Sequence, residues 1–116
     1  MDSILNTTKK LLGIQESDTN FDDILVTHIN SAFAILNQLG VGPKNGFYIN
    51  GSGEGWSDFI PEDGNLLKNV QTYVYMKVRL VFDPPTISSV LSALKESIAE
   101  YESRINMVVD PEVQQA

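Results

Sequence analysis

With 116 residues, 42% of them hydrophobic and 20% charged, the chain suits one compact domain with a modest core. Fifteen acidic and eight basic residues give a formal charge of −7, which excludes a protein held on DNA or on an anionic membrane by a basic surface. Cysteine is absent and histidine occurs once, which removes disulfides, thiol catalysis, thiolate metal sites and histidine-based triads.

The first residues carry no address. Ile4 and Leu5 run straight into Asn6, Thr7, Thr8, Lys9 and Lys10, so no apolar signal region forms. No stretch approaches the ~20 apolar residues of a membrane span. The reading is a chain made and used in a cytoplasm, or in a particle assembled there.

The pattern predicts an all-α fold: a small bundle of four main helices plus a further short one. The first helix runs from Asp2 or Ser3 to Leu12, with Ile4, Leu5, Thr8, Leu11 and Leu12 on one side and Gly13 as its stop. A polar connector follows from Gln15, in which Asp18, Thr19 and Asn20 are good cap residues for the next helix. Asp22 and Asp23 fall in its first turn, where the helix dipole favours negative charge. In this second helix Phe21, Leu25, His28, Ala32, Ile35 and Leu39 recur at helical spacing, with Ile24, Ile29, Phe33 and Leu36 beside them. Gly40 ends it.

From Gly40 to Gly55 the chain changes character, holding six of its eight glycines. Asn45-Gly46 and Asn50-Gly51 are tight-turn signals around Phe47-Tyr48-Ile49, so a Gly/aromatic loop or a hairpin is expected. Trp56 to Ile60 reads as a short helical turn broken by Pro61. The third long helix spans Gly64 to Phe82. It carries two apolar stripes, Leu67, Val70, Val74, Val78, Val81 and Leu66, Tyr73, Met76, Leu80, and is therefore buried on most sides. Asp83, Pro84 and Pro85 form a structural helix break. In the last helix Ile87, Leu91, Leu94, Ile98, Tyr101, Ile105 and Val108 alternate spacings of four and three, the narrow seam of a helix packed along a partner. Glu100 and Arg104 stand one turn apart and can pair. The organisation expected is one helical domain over residues 1–110 and a flexible tail over 111–116.

No arrangement of residues carries catalysis, and neither a metal nor a cofactor is called for. His28 lies on an apolar face without companion ligands. Asp22-Asp23 and Glu62-Asp63 are adjacent residues that point apart, so neither pair is a dyad. Gly51 to Gly55 lacks the Gly-Lys-Ser/Thr ending of a phosphate loop. Glu16, Asp18, Asn20 and Asp22 lack the glycine and closing glutamate of a calcium loop. Two readings stay open for Phe47, Tyr48, Ile49 and Trp56: a partner-anchoring surface, or a loop folded back over its own core.

The runs Trp56-Ser57-Asp58-Phe59-Ile60-Pro61 and Val70-Gln71-Thr72-Tyr73-Val74-Tyr75-Met76-Lys77-Val78-Arg79-Leu80-Val81-Phe82-Asp83-Pro84-Pro85 resemble the head–tail connector (adaptor) family of long-tailed bacteriophages. Leu11-Leu12-Gly13-Ile14, Gln38-Leu39-Gly40-Val41-Gly42-Pro43 and Glu100-Tyr101-Glu102-Ser103-Arg104-Ile105-Asn106 extend the resemblance, in order, over nearly the whole chain. The resemblance implies a structural virion protein at the head–tail interface, made in the bacterial cytoplasm. Such proteins form a ring, usually of twelve copies, beneath the portal. The ring extends the DNA conduit and docks the next, stopper-like neck or tail component. The implied partners are therefore further copies of the chain, the portal and that component, with DNA passing through unbound and no membrane involved. The C-terminal segment of family members reaches up to the portal, which makes Val108, Val109, Asp110, Pro111 and Glu112 candidate contacts. Loops on the other side meet the next ring, which makes Phe47, Tyr48, Ile49 and Trp56 candidates for downstream or neighbour contacts. An acidic conduit would repel phosphates, so Asp and Glu are expected to dominate the lumen rather than Lys68, Lys77 and Arg79. The competing class is an acidic DNA mimic or inhibitory protein-binding module, but its carboxylates would stand along one face, and here they are scattered among caps and loops.

Overall fold

The computed structural model describes residues 3–61 and 64–109. The element order is α1 (Ile4–Leu12), α2 (Asp22–Gln38), α3 (Trp56–Phe59), α4 (Asn65–Phe82) and α5 (Ser88–Val109). Among the described residues there is no strand, only an isolated antiparallel bridge between Ser3 and Gly55. The expected all-α bundle is thus the fold, and the Gly/aromatic segment is a loop rather than a hairpin.

Local chemistry sets the helix ends. Ser3 Oγ accepts the Asn6 N–H at 3.2 Å and caps α1. Gly13 closes α1 in a left-handed conformation, φ 81°, with its N–H donating to the Lys10 carbonyl and the Ile14 N–H donating to that of Lys9. Gly40 repeats the device after α2: φ is 89°, and the N–H groups of Gly40 and Val41 donate to the carbonyls of Asn37 and Leu36. The start of α2 differs from expectation. Its N-cap is Phe21, which provides no side-chain cap, while the Asp18 carboxylate accepts the Asn20 N–H at 3.1 Å within the connector. Aromatic contact places this end of the helix: Phe21 meets Phe82 of α4 edge-on at 5.4 Å.

Helix α4 occupies the middle and packs against α1, α2 and α5. Val70, Tyr73, Val74, Met76 and Val78 are buried, drawn from both of its apolar stripes. The stripe of α2 that reaches the core is Leu25, Ile29, Ala32, Phe33 and Leu36. It is rotated from the expected one: Phe21 is exposed, and His28, Ile35 and Leu39 are half-buried. Phe33 explains the rotation, because it is the ring on which the loop aromatics converge.

Helix α5 also departs from its seam. Ile98 and Ile105 are buried and Leu91, Leu94 and Tyr101 half-buried, but Ile87 and Val108 at the two ends are 63% and 58% exposed. The cause is length. α5 has 22 residues against 18 in α4, and at 1.5 Å per residue it outruns its partner by about 6 Å. Tyr73 Oη donates to Glu102 Oε2 at 2.7 Å and fixes the α4–α5 register. Burial, then this bond and the glutamate's charge, push the Tyr73 phenol pKa far upward, so it stays a donor. Glu100 and Arg104 pair as expected, at 3.2 Å on the surface.

One buried ion pair is absent from the pattern reading. Lys9 is 1% exposed, and its Nζ donates to the Glu16 carbonyl at 3.0 Å and lies 2.9 Å from Asp22 Oδ1. That oxygen is buried and has no other hydrogen-bond partner. The pair ties α1, the connector and the first turn of α2 into one corner. Deleting Asp22 leaves the buried Lys9 ammonium with one carbonyl partner and costs about 3 kcal/mol, whereas deleting Lys9 leaves a carboxylate that reaches water and costs less.

Gly42, φ 88°, lies against the Phe59 ring, and a Cβ there would collide with it. Gly46, φ 92°, has open space around the same position. Gly46→Ala is expected to cost only the left-handed strain, about 1–2 kcal/mol. Gly42→Ala should cost roughly twice that. Urea denaturation of both variants reads the difference, and equal losses would exclude the Phe59 contact as a source of stability.

Candidate functional site

The loop between α2 and α3 leaves the end of α2, descends along that helix and returns to the start of α1. Asn30, in the middle of α2, holds it halfway. Its Oδ1 accepts the Ile49 N–H at 2.7 Å, and its Nδ2 donates to the Ile49 carbonyl at 2.9 Å. One amide side chain thus pairs with both backbone groups of Ile49, as a residue on a neighbouring strand would. At its return the loop is pinned again, because the Ile4 N–H donates to the Glu54 carbonyl at 3.0 Å. Asp58 Oδ2 accepts the Gly55 N–H at 2.8 Å and opens α3.

These bonds place the four aromatic and aliphatic candidates differently. Ile49 and Trp56 are buried, 1% and 3% exposed. Phe47 is half-buried, with its ring 5.3 Å from Phe33 and 5.2 Å from Phe59. Phe33 also meets Phe59 at 4.6 Å and Trp56 at 6.2 Å. The loop therefore folds back over its own core through three of these residues. Tyr48 alone projects, 66% exposed. It stands between the packed Phe47 ring and the clamped Ile49 peptide, so its backbone is held on both sides. A tyrosine presented this way is a pre-ordered anchor, since little loop entropy is lost when it is covered.

The C-terminal candidates begin at Val108, which is exposed, and Val109, which is half-buried. Asp110, Pro111 and Glu112 lie outside the described residues. Val109 lines a groove of about 490 Å³ with Gly40 to Pro43, Asp58 to Pro61 and Leu66. Gly40 is needed there, because a Cβ would come within 2.9 Å of Val109 Cγ1. The first turn of the loop therefore lies beside the end of α5. Tyr48 stands lower, alongside Asn30, about 12 Å along α2 from that end. The helix break at Asp83, Pro84 and Pro85 sits at the opposite end of the bundle, where the Asp83 N–H closes α4 onto the Arg79 carbonyl.

The polar groups weighed for chemistry are engaged in structure. Glu16 Oε1 accepts from Asn6 Nδ2, and Asp22 faces Lys9. Glu54 Oε2 accepts the Asn50 N–H, which puts a carboxylate where the glycine loop would otherwise offer a donor to phosphate. Glu62 and Asp63 lie outside the described residues. Asn30 is the functional residue that pattern reading missed. Its signal was an amide in mid-helix, one position from buried Ile29 and three from Phe33. Such an amide in a helix interior invites a search for the backbone it binds.

The family model described as phage connector protein matches residues 4–112. The chain belongs to the phage connector protein family, and its role is that of a structural component of the phage head–tail connection. Searches of curated proteins and of solved structures return no match.

Asn30→Ala removes both bonds to Ile49 and leaves a peptide without partners. The expected loss is about 2–3 kcal/mol, with faster amide exchange at Ile49. Asn30→Asp keeps the acceptor but sets a carboxylate oxygen against the Ile49 carbonyl, and should lose at least as much. Amide exchange at Ile49 unchanged in Asn30→Ala would show that the aromatic cluster alone holds the loop.

Proposed function

We propose that this chain is the adaptor subunit of a phage neck: copies form a ring, twelve in number, beneath the portal, extend the DNA conduit and dock the next neck component. The observation that carries this reading is the connector family match along almost the entire chain. The mechanism is assembly. The portal acts as the template, the segment from Val108 to Glu112 makes the contact with it, and lateral contacts between copies close the ring. A single contact of this kind is weak, and ring closure strengthens it through many simultaneous contacts.

Tyr48 is the loop residue offered to the downstream component. It is exposed, it is held rigidly, and it sits away from the end of α5. Phe47, Ile49 and Trp56 act through it, as the packed base from which it projects. At −7 per copy, acidic side chains lining the conduit oppose adhesion of the DNA that passes through.

Truncation after Asp110 is expected to leave helix content and thermal stability unchanged and to abolish capture by the portal protein encoded with the chain. Native mass spectrometry of the mixture reads both the binding and the copy number. Portal binding by the truncated chain would remove the residues after Asp110 from the contact.

Tyr48→Ala is expected to leave folding and portal binding intact and to weaken docking of the downstream component at least tenfold. Pull-down of that component on assembled rings checks it. Undiminished docking would move the contact elsewhere.

A further inference from the structure

One end of the bundle has an apolar surface that its own helices leave uncovered. It is built from the last turn of α1, the first turn of α2, the last turn of α4 and the start of α5. Six large apolar side chains there are 44–63% exposed: Leu11, Phe21, Ile24, Val81, Ile87 and Val90. They belong to one region. Arg79 and Asp83 line two adjoining depressions, one shared with Leu11 and the other with Ile87 and Val90. Phe21 packs on Phe82 next to Val81, and Ile24 follows one turn along α2. We propose that this end, centred on Ile24 and Ile87, is the surface by which one copy of the chain holds the next. The proposal rests on the ring reading and adds to it the face that makes the contact.

Size supports a second copy as the occupant. A half-exposed large apolar side chain leaves on the order of 50–100 Å² uncovered, so six leave roughly 300–600 Å². A standard protein interface takes about 800 Å² per partner, just over half of it apolar, or roughly 450 Å². The patch therefore matches one side of such an interface and is smaller than a permanent dimer requires. A contact of that size is weak in a pair and firm once a ring closes.

Charge supports the same occupant. The whole chain carries −7, so identical copies repel. At this end Lys10 and Arg79 stand with Asp18, Asp23 and Asp83, while Lys9 is buried against Asp22 and the two cancel. The surface is close to neutral, and a like-charged copy can approach it. A neutral, apolar contact also predicts that association does not weaken as salt rises.

The test uses the full chain with its portal protein and the double variant Ile24→Glu, Ile87→Glu. Both positions are already about half in water, so circular dichroism should show an unchanged fold. Native mass spectrometry should show the variant still captured by the portal, with association between copies at least tenfold weaker, while the parent ring survives 1 M salt. A full ring of the variant at the parent's concentration overturns this face and leaves the ring reading standing. A parent chain that never gathers beyond one copy overturns the ring reading, and this inference with it. If the variant fails to fold, a photo-crosslinking residue in place of Ile87 answers instead. An adduct of twice the chain's mass supports the contact, and adducts to the portal alone refute it.

Discussion

The structure is organised around a helix that cannot face water. α4 buries residues from both of its apolar stripes, with Val70, Tyr73, Val74 and Val78 wholly enclosed. Three helices are arranged to cover it, and three polar devices fix the arrangement. Lys9 and Asp22 tie α1 to the start of α2, Tyr73 and Glu102 tie α4 to α5, and Asn30 ties the loop to α2. The apolar contacts supply the driving force, but they are non-directional. The polar bonds choose one arrangement among the packings that hydrophobic burial alone would allow, because each leaves a buried group unpaired if the register slips.

The glycine-rich stretch illustrates how composition can mislead about stiffness. Six glycines in sixteen residues suggest a flexible linker. Here the glycines permit turns and close approaches, and the ordering comes from elsewhere. Gly42 makes room for Phe59, Gly40 for Val109, and Asn30 treats the Ile49 peptide as its hydrogen-bonding partner. The result is a loop whose interior belongs to the core and whose one exposed aromatic is carried on a fixed base.

Much of this was legible from residue order. Gly13 and Gly40 marked their helix ends because a left-handed residue is cheap only for glycine. The two stripes of α4 marked it as central, and Asp83-Pro84-Pro85 marked the corner before α5. What periodicity missed were properties set by partners distant in the chain. The core face of α2 turned toward Phe33 because Phe47, Trp56 and Phe59 meet there, and no local spacing in α2 contains those residues. The seam of α5 fades at Ile87 and Val108 because α4 is shorter, a fact about another helix. Lys9 is buried although lysine almost never is, and only the return of Glu16 and Asp22 to its side explains it. The projecting Tyr48 was one of four equal candidates until the loop's folding separated it from the others.

The bond from Ile4 to the Glu54 carbonyl, beside the bridge between Ser3 and Gly55, makes the first half of the chain a closed circuit. The ends of that circuit are joined only after more than fifty residues have been synthesised, so α1 waits for its cover while α2 is made. Once closed, the circuit also governs how the subunit bears load. Tension on the N-terminus falls first on a hydrogen bond backed by the wholly buried Ile4 and Leu5, and it passes from there into the Phe33 cluster. Tension at the C-terminus falls along the axis of α5, which is held chiefly at Ile98, Glu102 and Ile105. The two ends of the same small protein therefore yield at different forces.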